Sequence, residues 1–365
     1  MPETRASLDL VERGATRVGP GPHLHFGYVK EAGHIWVSNT GGDSITVLDH
    51  ATGDRVGELA VGHGPAHFAF DAGCRVGYVA LSGADAVGVV DPRAGTVIRT
   101  IALRPGSRPT AVMPAFDRQR VYLLCPGDGT VTAIDTTTDT VAAVIPVGRE
   151  PMWGQPWGAS YKPITRPVGK SYVVNAGSDD LSVFADATDR VIGSVPVGRR
   201  PVRNAIFRER ALIYTANEGD DSVSAVRISD DAVVATIAVG ARPFRLLPVE
   251  AMNGRDEMWV LCAGSAERPR GEITVLSGTR HEAVATIAVV DRPANWVVNT
   301  ESTLFVVSAT AGALAVVDIR AGAVVGGGRL THPPQLGAIS GLLYTAPRAL
   351  FILNADDTVS TLTAA

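Results

Sequence analysis

Short apolar runs rich in Val, Ile and Ala, broken by Gly, Asp, Asn or Pro, fill the chain almost from end to end. Four of them follow one another as AHFAF (66–70), GYVAL (77–81), AVGVVD (86–91) and VIRTIAL (97–103). Each is short, largely β-branched and bounded by turn formers, a pattern that predicts strands rather than helices. Sets like this one return along the sequence, and each is led by a proline. The phrase Val-Gly-x-x-Pro occurs at Val18 to Pro22, Val61 to Pro65, Val147 to Pro151, Val197 to Pro201 and Val239 to Pro243, and degenerate copies end at Pro109, Pro293 and Pro333.

The eight prolines are separated by 43, 44, 42, 50, 42, 50 and 40 residues, the period of four-stranded repeat units that stack side by side. The second segment of almost every copy carries an aromatic residue: IWVSN (35–39), VYLLC (121–125), SYVVN (171–175), LIYTAN (212–217), MWVLC (258–262), LFVVS (304–308) and LFILN (350–354). One large side chain per unit suits the packing of sheets face to face.

Segments such as LIYTANEGDDSVSAVRISDDAVVATIAVG (212–240) and IWVSNTGGDSITVLDHATGDRVGELAVG (35–62) resemble the blades of the YVTN-repeat β-propeller family, and the resemblance runs over the whole chain. It implies an all-β fold in a single domain, residues 1–365, with the strand after each proline innermost. Eight prolines predict eight four-stranded blades, with a seven-bladed ring plus a decorating segment as the alternative. Only three strands follow Pro333, so residues 8–18 are expected to supply the missing outer strand beside residues 358–363. Such a closure removes an open sheet edge.

Composition narrows the function classes. A 365-residue chain that is 45% apolar and 19% charged can bury a large core. Its formal net charge of −4 gives no general attraction to nucleic acid or to an anionic membrane. The first 18 residues lack the apolar core of a signal peptide, and no apolar run is long enough for a membrane helix. Cys74, Cys125 and Cys262 fit no metal, haem or redox spacing and read as reduced thiols of a cytoplasmic protein.

Candidate chemistry gathers just past the prolines. Two positions after them stand Leu24, His67, Ala111, Trp153, Arg203, Arg245, Asn295 and Gln335; three positions after stand His25, Phe68, Val112, Gly154, Asn204, Leu246, Trp296 and Leu336. The first set is mostly polar and the second mostly apolar, so the first is expected to face a solvent-filled channel mouth. Arg203 and Arg245 suit a carboxylate or phosphate. Arg108, Arg200, Arg242 and Arg292 precede prolines and read first as solvated turn residues. His67 and His25 are the candidate acid and base, with His23 and His332 nearby. Trp153, Gln155 and Trp157 offer a wall for an organic ligand. No metal site is assigned, because no carboxylate or thiolate accompanies the histidines at ligand spacing; a divalent metal stays open as an alternative.

These residues favour an enzyme acting on a small anionic metabolite by non-redox lyase, hydrolase or cyclisation chemistry, without cofactor, as in the propeller lactonases and streptogramin lyase that the resemblance brings in. It also reaches the haem-binding propeller of cytochrome cd-type nitrite reductases, so a tetrapyrrole-like or other anionic cofactor is an alternative. A protein-interaction scaffold is the third reading.

Overall fold

In the computed structural model, the described residues are 10–22, 25–71, 73–115, 118–152, 169–250, 256–298, 303–309, 312–332, 334, 342–345 and 349–364. The chain forms two compact units, one of residues 1–66, 263–272 and 287–365, the other of residues 67–262 and 273–286.

Antiparallel four-stranded meanders make up nearly all of the second unit. Pro201–Phe207, Leu212–Asn217, Ser222–Arg227 and Ala232–Ala238 follow one another in sheet order and chain order alike. The same order holds for the sheets over residues 65–102, 111–146, 151–196 and 243–291. In the first unit, residues 26–60 form one such sheet. There too Leu10–Arg17 pairs antiparallel with Thr358–Ala364, from Leu10↔Ala364 to Arg17↔Thr358, and touches Ala323–Arg329 in parallel at Leu10↔Gly328. An eight-stranded sheet results.

Burial grades across each sheet. In the second strands, Trp36, Tyr78, Tyr122, Tyr172, Tyr214, Trp259, Phe305 and Phe351 are at most 3% exposed. The fourth strands lie open, and Val56, Val97, Val141, Val191, Val233, Val284 and Val324 are each at least 36% exposed. Turns between third and fourth strands are held by an aspartate at the strand end. Asp49 accepts from the amides of Ala51 and Thr52, Asp91 from Arg93 and Ala94, Asp135 from Thr137 and Thr138, and Asp318 from Arg320 and Ala321. This is the aspartate's usual competition with the ladder for backbone donors.

The glycine of the recurring phrase has a steric reason. A Cβ on Gly148 would stand 2.5 Å from the Asn175 amide nitrogen, and one on Gly198 would stand 2.5 Å from that of Asn217. Each asparagine donates to a serine seven residues on, Asn175 to Ser182 and Asn217 to Ser224, and the serine accepts from the glycine amide. Cysteine replaces the asparagine at Cys125 and Cys262, where the sulfurs lie 3.7 and 3.8 Å from Thr132 and Thr274. All three cysteines are buried, and none forms a disulfide. Burial pushes the Cys125 thiol up to about 11, which makes it inert rather than nucleophilic.

Candidate functional site

Arg203 and Arg245 are brought together. They lie on Pro201–Phe207 and Pro243–Glu250, the first strands of consecutive sheets, which pack against each other. Each strand carries a β-bulge after its proline. Pro201 pairs with Asn217 but Arg203 with Ala216, and Pro243 pairs with Cys262 but Arg245 with Leu261. One extra residue, Val202 or Phe244, is thus inserted, and the arginine behind it is re-aimed. Both arginines therefore leave equivalent register positions on neighbouring strands.

Arg245 is 8% exposed and Arg203 is half-buried. Burial first and the Arg245 charge second push the Arg203 guanidinium well below the usual arginine range; burial alone pushes Arg245 down to about 10. A guanidinium keeps its proton in proteins. The downward pressure is therefore the cost of holding two cations there. Arg203 makes no hydrogen bond or ion pair with a protein group among the described residues. Carboxylates of the surrounding sheets are engaged elsewhere: Glu218 by Arg200 and Arg242, Asp230 by Arg227, Asp231 by Lys170 and Asp256 by Arg210.

That network also places two of the pre-proline arginines. Arg200 and Arg242 are more than half exposed and share Glu218 at 3.2 and 2.8 Å. They are surface ion pairs on left-handed turn residues, with φ of 48° and 55° and backbone amides bound by Asp179 and Asp221.

His67 is 5% exposed, and its Nδ1 accepts the backbone N–H of Val112 at 3.2 Å. The neutral ring therefore carries its proton on Nε2. Taking up a second proton would cost the Val112 bond. In chain order two sheets separate its strand from Pro201–Phe207. Asn204, not singled out by its residue type, is 1% exposed and donates from Nδ2 to the Tyr172 carbonyl at 3.2 Å, fixing the strand beside Arg203.

In the other unit, Asn295 is 4% exposed, follows a bulge of the same form, and accepts the Trp296 amide at 2.9 Å. His25 is half-buried, with its backbone bonded to Ser38. His332 pairs with Asp356 at 2.6 Å. Trp153, Gln155, Trp157, Gln335 and His23 lie outside the described residues.

One expectation is corrected. The post-proline positions do not alternate between solvent and core: His67, Ala111, Arg245 and Asn295 are buried, and so are Phe68, Val112, Asn204 and Leu246. Bulges break the period of two in the strands of Arg203, Arg245 and Asn295. Packing of first strands on one another, as between Pro201–Phe207 and Pro243–Glu250, covers the remaining face. No group of three or more His, Cys, Asp or Glu among the described residues is arranged to hold a metal.

No family model and no curated protein matches the chain. Solved structures do. BamB from Moraxella catarrhalis is similar at a TM-score of 0.67 and 11% identity over 97% of each chain. The dihydro-heme d1 dehydrogenase NirN in complex with DHE is similar at 0.65 and 13% identity, over 94% of this chain and 74% of that one. The chain has the β-propeller fold. Each four-stranded sheet is a propeller blade, and Arg203 and Arg245 stand on the first strands of adjacent blades. No helix among the described residues is long and apolar enough to cross a membrane.

Proposed function

We propose that this propeller holds a small anionic organic molecule on Arg203 and Arg245, in the service of non-redox lyase, hydrolase or cyclisation chemistry. One observation carries the reading: a guanidinium, Arg203, set beside a second buried arginine and engaged by no carboxylate among the described residues. A guanidinium without a counter-charge in a partly dehydrated place destabilises the fold unless something anionic arrives. His67 is the candidate acid or base of this reading, with Nδ1 accepting the Val112 amide. An anion bound to the folded protein raises its melting temperature by mass action. Citrate should therefore stabilise the wild type, whereas Arg203→Ala and Arg245→Ala should each lose about 1.5 to 3 kcal/mol of citrate binding, the worth of a charged hydrogen bond. Equal stabilisation of all three proteins would remove the proposal and favour a scaffold.

A tetrapyrrole bearing carboxylates is the second reading, favoured by the likeness in fold to NirN. A shifted visible spectrum when haem is added to wild type but not to Arg203→Ala would select it. The blade count we read as eight, in a ring closed through the N-terminal strand. The eight prolines and the pairing of Leu10–Arg17 with Thr358–Ala364 support it. Three buried free thiols support a cytoplasmic location.

A further inference from the structure

We infer that His281 is a proton-operated latch on the strand that carries Arg203: its neutral ring holds residues 277–282 against that strand, and its imidazolium releases them. The inference stands whatever Arg203 binds.

The Tyr214 hydroxyl and the His281 Nδ1 stand 3.2 Å apart across the junction of the blades over residues 201–238 and 243–291. Burial first and the Asp256 charge second push the Tyr214 phenol up to about 12, so it keeps its proton. A phenol O–H is the better donor of the two and an imidazole lone pair the better acceptor, so Nδ1 accepts. An imidazolium has no such lone pair. Aspartates hold the matching place at Asp139, Asp189 and Asp231, where Tyr78, Tyr122 and Tyr172 donate to them. A carboxylate ordinarily stays ionised between about pH 5 and 8, the range in which histidine changes charge. Of these four junctions, the one beside Arg203 is thus the one that a proton can alter.

The turn that carries His281 rests on Arg203's strand. Gly278 donates its amide to the Asp256 carbonyl at 2.8 Å, and a Cβ on Gly278 would stand 2.9 Å from the ring of Phe207 and 2.7 Å from Asp256 Oδ1. Phe207 ends Pro201–Phe207 and meets Tyr214 edge-on, with ring centroids 5.8 Å apart. Tyr214, Phe207 and the turn therefore move together or not at all. The charged groups around the contact answer one another: Arg210, with Glu209 beside it, grips Asp256, and Arg280 pairs with Glu282 at 2.6 Å. Asp256 and Glu282 thus already serve arginines, and proton uptake at Nδ1 is set against the Tyr214 bond.

Amide hydrogen exchange on the full-length protein, corrected for intrinsic rates and run without any ligand, tests this. Lowering the pH from about 7.5 to about 5.5 should quicken exchange in Pro201–Phe207 about threefold to tenfold relative to Thr130–Asp135, the worth of one neutral hydrogen bond. His281→Asp, which restores the aspartate of the other junctions, and His281→Gln, which takes up no proton, should each hold the ratio constant with pH. Melting curves establish that the variants are folded before exchange is read. A wild-type ratio that does not change with pH overturns the latch, and so does a pH response that survives in either variant. Neither result bears on anion binding, which citrate tests.

Discussion

At three successive blade junctions of the second unit a tyrosine hydroxyl donates to an aspartate of the next blade: Tyr78 to Asp139, Tyr122 to Asp189 and Tyr172 to Asp231. A cation stands by each carboxylate: Arg99, Arg120 and Lys170. At the fourth junction His281 occupies the same left-handed turn position, with a φ of 55° against 52° at Asp139, and faces Tyr214 at 3.2 Å. Burial first and the aspartate second push the phenols of Tyr78, Tyr122 and Tyr172 upward, so each stays a donor at neutral pH. Tyr122→Phe removes a bond to a charged acceptor and should cost about 1.5 to 3 kcal/mol; Tyr214→Phe removes a neutral one and should cost about 0.5 to 1.5 kcal/mol. Urea unfolding of the two variants checks the order, and a larger loss for Tyr214→Phe would contradict it. The recurring aromatic was legible in the sequence as packing. Its hydroxyl's partner was not, because Asp189 lies 67 residues from Tyr122 and reads alone as a turn former.

Strands and their repeat were largely legible, since β-branched runs between turn residues leave little choice of element. Register was less so. A bulge depends on what the partner strand offers at each step, and neither Val202 nor Phe244 announces one. The polar residues after the prolines were therefore visible, while the idea that they alternate between solvent and core failed at the bulges. Leu10–Arg17 shows an element recruited across the whole length of the sequence. Besides its ladder to Thr358–Ala364, Glu12 accepts the Thr331 amide at 2.8 Å and the Ser360 hydroxyl. Deleting residues 1–17 should lower the melting temperature and promote aggregation, because Thr358–Ala364 becomes an open edge. Light scattering during a thermal ramp reads both effects, and a truncated protein that melts like the full chain would contradict the expectation.

Across the whole molecule the formal charge is −4, so an anionic ligand gains nothing from the distant field and must be held by local cations, the more so because salt screens charges beyond about 10 Å. Arg203 and Arg245, the pair proposed for that role, stand out in the sequence by their place after the proline. That Arg200 and Arg242, so similar in sequence, belong to Glu218 was legible only in three dimensions. The fold sets Arg200 and Arg242 on the surface, held by Glu218, apart from the more enclosed Arg203 and Arg245. The most direct measurement is a crystal structure of the protein grown with malonate. One malonate is expected to bridge the pair, its carboxylate oxygens about 2.7 to 2.9 Å from guanidinium nitrogens of both Arg203 and Arg245. Finding both guanidinium groups bonded to carboxylates of the protein itself, with no anion between them, would contradict it.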